Sequence, residues 1–218
     1  PMLLTRIHYP GSYTHSCWTT EDHRFLFVAD EQDGQPARIF AIENLNAIRE
    51  VAQYTANRLS LVHNPYIRGH YAFIAHNTEG LRVVDIADPS LPVEVGYYDT
   101  WTGPSGGFNG LWSACPYLPS GKIIGGDRTG GLYVWRFNGA RAVRIYGLVK
   151  DTMSNPIPRA QVAIVQTGQT TVVDSAGQFK IGEERPTGGA QVTFTVVASA
   201  AGFLPESTNV SFSTRDSA

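Results

Sequence analysis

The sequence is poor in cysteine, in charge and in long apolar runs, and each shortage removes a class of protein. Two cysteines, Cys17 and Cys115, in 218 residues allow at most one disulfide, so this is not a disulfide-stapled scaffold. They fall in repeats that are not neighbours and are read as unpaired, buried thiols. Charged residues make up 17% of the chain and the formal net charge is −2. With Lys and Arg scattered, no basic stripe offers the counterion release on which nucleic-acid binding rests, and nucleic acid is set aside as a partner. No apolar run approaches the roughly 20 residues of a membrane-spanning helix. The opening Pro1-Met2-Leu3-Leu4 lacks the basic-then-apolar layout of a signal peptide. Amphipathic helical periodicity is missing too: Asn44 to Gln53 alone has a helical flavour, and it fits a loop followed by a strand equally well. Catalytic signatures are equally scarce. The Gly-x-Ser-x-Gly spacing occurs at Gly103-Pro104-Ser105-Gly106-Gly107, but in a long loop and not at a strand-to-helix elbow, and Ser16 beside His15 is adjacency without geometry. Gly125-Gly126 and Gly130-Gly131 bracket a strand turn with no following helix to cradle a phosphate.

What the chain does have is self-similarity. His63 to Asp99 divides into four strand candidates, Asn64 to Ile67, Tyr71 to His76, Leu81 to Ile86 and Pro92 to Tyr98. They are separated by Arg68-Gly69, Asn77-Thr78-Glu79-Gly80 and Asp88-Pro89-Ser90, all with turn chemistry. The same order runs from His15 to Tyr54 and again from Trp112 to Asn138. His15, His63 and Trp112 fall into one register position, Trp18 and Tyr66 into a second, and Asp30, His76 and Asp127 into a third. A four-stranded unit of about 40 to 45 residues has the size of a propeller blade, and one such sheet cannot bury both faces unless neighbours pack against it. The expected fold is therefore all β, a partial β-propeller followed by a Greek-key β-sandwich. Residues 1–139 are assigned to the propeller: a strand of an earlier blade at 1–10, and blades at about 11–57, 58–100 and 108–139. Because propellers close with about four blades at minimum, the chain is expected to be a piece of a longer protein, or its missing blades to come from elsewhere.

The segment GLRVVDIADPSLPVEVG, with the preceding HNPYIRGHYAFIAHN, resembles the LVIVD repeat of bacterial surface and secreted propellers. The ordered series HSCWTTEDHRFLFVADE, SLVHNPYIRGHYAFIAHNTEGLRVVDI, EVGYYDTW and FNGLWSACPYLPSGKIIGGDRTGGLYVWRF is similar to the C-terminal blades of the choice-of-anchor B family. That resemblance implies an extracellular or cell-envelope protein without an established catalytic activity.

After Asn138-Gly139-Ala140-Arg141 the blade pattern stops. Strands are expected at Val143 to Lys150, Ala160 to Gln166, Thr170 to Val173, Gln178 to Ile181, Gln191 to Ala198 and Ser207 to Phe212. Asp174-Ser175-Ala176-Gly177 is expected to close a hairpin. Residues 142–218 are thus read as a sandwich on the seven-strand scale. The string IYGLVKD, NPIPRAQVAIVQTGQTTVVDSAGQFKI and VVASAAGF resembles the carboxypeptidase regulatory-like domain, a transthyretin-like sandwich. Such domains position partners or bind carbohydrate and are not themselves peptidases.

The expected function is binding rather than catalysis, directed at protein or carbohydrate at the cell surface. Candidate ligand-binding residues are His15, Trp18, His63, Tyr66, Trp101 and Trp112. The aromatic rings offer stacking surfaces, and Trp101 lies in the long loop from Thr100 to Gly107. His15 and His63 open the first strands of successive blades and could hold a divalent metal in a propeller channel; no other cofactor is expected. Hydrogen-bonded packing between blades explains the same histidines without a ligand. Two further classes remain: a surface-layer or filament component, and a propeller hydrolase or lyase using the channel metal.

Overall fold

The computed structural model describes residues 1–186 and 191–213, and these contain strands and turns but no helix. No helix among them is therefore long and apolar enough to cross a membrane. The chain divides into two units, Pro1–Gly139 and Ala140–Ala218.

In the first unit, β1 (Thr14–Thr19), β2 (Phe25–Asp30), β3 (Ala37–Ala41) and β4 (Arg49–Tyr54) form an antiparallel sheet in sequential order. The strands β5 (Asn64–Arg68), β6 (Tyr71–Ala75), β7 (Leu81–Asp85) and β8 (Val93–Tyr98) repeat it. The inner strands β2, β3, β6 and β7 are apolar almost throughout because both faces are covered, whereas β1 and β4 carry polar residues toward water. Phe27 and Ile39 of one sheet share a core with Ile67, Ile74 and Val84 of the other, all but fully buried. Both sheets bulge at the same point of the third strand, between Ile39 and Phe40 and between Val83 and Val84. The third-strand bulge thus recurs from one blade to the next, consistent with a partial propeller.

The third repeat is thinner than expected. β9 (Lys122–Asp127) pairs with β10 (Gly131–Arg136), but its first strand shrinks to single bridges from Leu111 to Asp127 and from Cys115 to Ile124. Pro116 has no N–H to extend that ladder. Met2 to Tyr9, expected as a strand, is not one. No described strand pairs with it, and without a ladder an extended segment leaves its backbone to solvent; Met2, Leu3 and Leu4 are exposed. Cys17 and Cys115 are free thiols but exposed, not buried, since both sit on the open face of first-strand segments.

In the second unit, β11 (Ala142–Leu148) pairs with β14 (Gln178–Glu184). A second sheet runs β13 (Thr170–Val172), β12 (Gln161–Ile164), β15 (Gln191–Ser199), β16 (Glu206–Ser213). Val143, Ile145 and Ile181 of the first sheet and Val162, Ile164, Phe194 and Val196 of the second fill one core. This is a sandwich of six strands among the described residues. Of the span read from sequence as 142–218, residues 187–190 and 214–218 lie outside the described part.

Asp174 to Gly177 does turn, with Asp174 Oδ1 accepting from the backbone N–H groups of Ala176 and Gln178, both at 2.8 Å. It is not a hairpin, however, because β13 and β14 belong to different sheets. Gly177 has φ +81°, and a Cβ there would lie 2.8 Å from Pro156 Cβ and 2.9 Å from the Val149 carbonyl oxygen. The turn, which carries the chain from one sheet to the other, is pressed against the end of β11.

Candidate functional site

The register that equates His15, His63 and Trp112 in sequence also sets them side by side in space. In β1 the pairing jumps from Thr14 with Asp30 to Ser16 with Ala29, which leaves His15 as the extra residue of a bulge. Ahead of β5 the His63 N–H donates to the Ala75 carbonyl at 3.0 Å. In the third repeat Trp112 and Ser113 both donate to the Gly126 carbonyl, at 2.8 and 3.3 Å. A bulge re-aims the residue it displaces. The His15 and His63 rings stack with centroids 4.2 Å apart and planes at 22°, and Trp112 lies 4.4 Å beyond His63 at 54°. The Ser16 hydroxyl donates to the His63 carbonyl at 2.7 Å and ties the first strands together.

Glu31 completes this column. Its Oε2 is 3.5 Å from His15 Nδ1 and its Oε1 is 3.5 Å from His63 Nε2. His63 is fully buried, and its Nε2 has no hydrogen-bond partner. On the other side of the ring, Nδ1 lies 2.9 Å from the Trp112 carbonyl oxygen and 2.8 Å from Asn64 Nδ2, which itself donates to that carbonyl at 2.8 Å. Burial pushes the His63 imidazole below the ordinary histidine value, outweighing the Trp112 carbonyl and the Glu31 carboxylate, which favour a proton. His15, Glu31 and His63 are the one group of three potential metal ligands that converge among the described residues, with ligand atoms all within 4.8 Å of one another.

A second cluster forms around the other repeated aromatic position. Trp18 lies 5.4 Å from Tyr66 and 5.5 Å from Tyr117, the latter pair nearly parallel at 23°. Trp18 and Tyr117 keep 40% and 41% of their surface in solvent. The Tyr117 hydroxyl donates to the Ile67 carbonyl at 2.7 Å, and burial pushes this phenol up to about 12. The result is a fixed aromatic platform on first-strand segments of three repeats.

Trp101 joins neither cluster. Its indole Nε1 donates to the Pro104 carbonyl at 3.0 Å and the ring lies over Gly103, half-buried in its own loop. Asp30, His76 and Asp127 do not converge either. Asp30 accepts from the Tyr9 hydroxyl and the Tyr13 N–H, His76 contacts Thr55 Oγ1, and Asp127 caps the turn through Thr129 and Gly130. His76 and Glu79 stand in a His-x-x-Glu spacing, but they are engaged separately, Glu79 by Asn57 and Arg82. Sequence reasoning missed Glu31 and Tyr117. Glu31 follows the repeated position of Asp30, His76 and Asp127 but is matched by Asn77 and Arg128 in the other copies, so similarity between repeats hides it. Tyr117 follows Cys115, which occupies the register position of Tyr66, and its placement two residues further on was the available signal.

Stacked four-stranded antiparallel sheets repeating one register define a β-propeller-type scaffold. Residues 64–100, the second blade, match the LVIVD repeat, which fits a β-propeller-like repeat family. No curated protein matches the chain.

Proposed function

We propose that this chain is a secreted or cell-surface binding protein that recognises carbohydrate on the platform of Trp18, Tyr66 and Tyr117, with the C-terminal sandwich as a carboxypeptidase regulatory-like accessory module. The observation that carries this reading is the tiling of three aromatic rings, two of them well exposed, on one rigid face. An aromatic face is electron-rich and binds the C–H face of a sugar ring, while hydroxyls at its edge take hydrogen bonds. Both rims are pinned, Tyr117 through Ile67 and the first strand through Ser16 on the His63 carbonyl, so little side-chain entropy is lost on binding. The LVIVD match and the likeness to choice-of-anchor B blades support the surface location, and a scaffold of stacked blades gives a broad, stable face for recognition.

A glycan array probed with the 218-residue chain, followed by tryptophan-fluorescence titration of each hit, tests this. Binding that is lost in Trp18→Ala and weakened in Tyr117→Ala is expected, a loss of about 1–3 kcal/mol for a stacking anchor. An array without hits, or hits indifferent to both substitutions, sinks the reading.

A further inference from the structure

We propose that His15, Glu31 and His63 bind one divalent first-row transition metal ion, with His63 as the buried anchor, Glu31 as the central carboxylate and His15 as the solvent-side ligand. The site is distinct from the aromatic platform and does not depend on carbohydrate binding.

Three observations converge on it. First, His63 Nε2 is a fully buried nitrogen without a hydrogen-bond partner, directed at Glu31. A buried polar atom left unsatisfied is costly, and native proteins seldom keep one without use. Second, the opposite ring nitrogen has the acceptor that a metal-binding histidine uses. Coordination at Nε2 needs the proton on Nδ1, and the Trp112 carbonyl oxygen stands 2.9 Å from Nδ1 to accept it; Asn64 Nδ2, 2.8 Å from Nδ1, then donates to that carbonyl and not to the ring. Third, the carboxylate spacing suits coordination better than hydrogen bonding. Both Glu31-to-imidazole distances are 3.5 Å, long for a hydrogen bond, and each runs from a different carboxylate oxygen, Oε2 to His15 and Oε1 to His63, so that the carboxylate presents one oxygen to each ring. Ligand atoms at the corners of a tetrahedron with bonds of about 2.1 Å stand roughly 3.4 Å apart.

The two imidazoles, however, lie stacked at 22°, so their in-plane lone pairs run side by side instead of meeting. His15 is the ring that can turn: it is the extra residue of the β1 bulge and exposed, whereas His63 is wedged between His15 and Trp112. His63 and Glu31 therefore form the preset half of the site, and His15 closes it at the expense of a solvent-side stack. Two imidazoles with one carboxylate favour ions such as Zn²⁺ or Co²⁺ over Mg²⁺ and Ca²⁺, which prefer all-oxygen shells. Three protein ligands leave a coordination position for water or an anionic group of a bound molecule.

The test is calorimetric titration of the chelator-treated 218-residue chain with ZnCl2, and the visible ligand-field spectrum with CoCl2. One equivalent of Zn²⁺ is expected, unaffected by excess Mg²⁺. His15→Ala and Glu31→Gln should each weaken it about tenfold or more and remove the tetrahedral cobalt bands, with circular dichroism unchanged. His23→Ala, outside the cluster, should bind as the unaltered chain does. Because His63 is buried, His63→Gln is read only after tryptophan fluorescence confirms a native fold, and it too should lose the ion. Absence of a stoichiometric Zn²⁺ site, or uptake undiminished in both His15→Ala and Glu31→Gln, overturns the proposal.

Discussion

His76 holds its Nε2 3.2 Å from Thr55 Oγ1, a side-chain contact that joins the end of β6 to the segment leaving the preceding blade. The imidazole is fully buried, and burial lowers it to about 4 from an ordinary value of 6.5. Between those two values the unfolded chain takes up a proton that the folded chain refuses. Stability is therefore complete above pH 6.5 and drains away as pH falls toward 4. The loss is on the order of 3 kcal/mol. Urea melts followed by tryptophan fluorescence report it cleanly, because Trp18, Trp101, Trp112 and Trp135 all lie in the first unit. In His76→Gln the acid-side slope should flatten; an unchanged slope would mean that this group does not titrate on unfolding.

The repeats made much of this legible in advance. The strand set from Asn64 to Tyr98 and the equivalence of His15, His63 and Trp112 both follow from residues recurring at one spacing, and packing then obliges equivalent residues to meet. What recurrence cannot report is a residue that belongs to one copy alone. Glu31 is such a residue, and so is Tyr117, which supplies the ring that Cys115 does not. Turn chemistry at Asp174 to Gly177 was visible as well. Its destination was not, because a tight turn specifies a reversal but not whether the next strand joins the same sheet; that choice is made by packing on Pro156 and Val149.

Gly177 gives that last point a measurable form. Gly177 and Gly202 share a left-handed backbone, φ +81° and +83°, yet a Cβ at Gly202 meets nothing within 4 Å while one at Gly177 strikes Pro156 and the Val149 carbonyl. Gly202→Ala should cost only the left-handed penalty, about 1 kcal/mol. Gly177→Ala adds a clash with backbone and should cost at least about 2 kcal/mol. Hydrogen–deuterium exchange along β11 and β14 is the readout, since the Val149 N–H donates to the Gly177 carbonyl at 2.8 Å. Equal effects of the two substitutions would show that the turn yields without disturbing the sheet.

The repeated ion pairs offer a comparison with exposure held constant. Arg38 Nη1 lies 2.9 Å from Glu50 in the first blade and Arg82 Nη1 lies 3.2 Å from Glu94 in the second, and both glutamates keep 30% of their side chain in solvent. Their other partners differ: Glu50 Oε1 accepts from Gln53 Nε2 at 2.6 Å, Arg82 also faces Glu79, and the buried hydroxyl of Tyr54, from the first blade, donates to Glu94 Oε2. Burial, reinforced by the Glu94 charge, pushes that phenol well above its ordinary value, so it remains a donor at any physiological pH. Removing Glu50 severs a partly solvated pair and should cost less than about 1 kcal/mol. Removing Glu94 also strands a buried hydroxyl, which adds about 1–3 kcal/mol. In a double-mutant cycle Tyr54→Phe should therefore restore part of the stability lost in Glu94→Ala, because it deletes the orphaned donor. Glu94→Ala that costs no more than Glu50→Ala, with no rescue by Tyr54→Phe, would remove the Tyr54 hydroxyl from the forces that fasten one blade to the next.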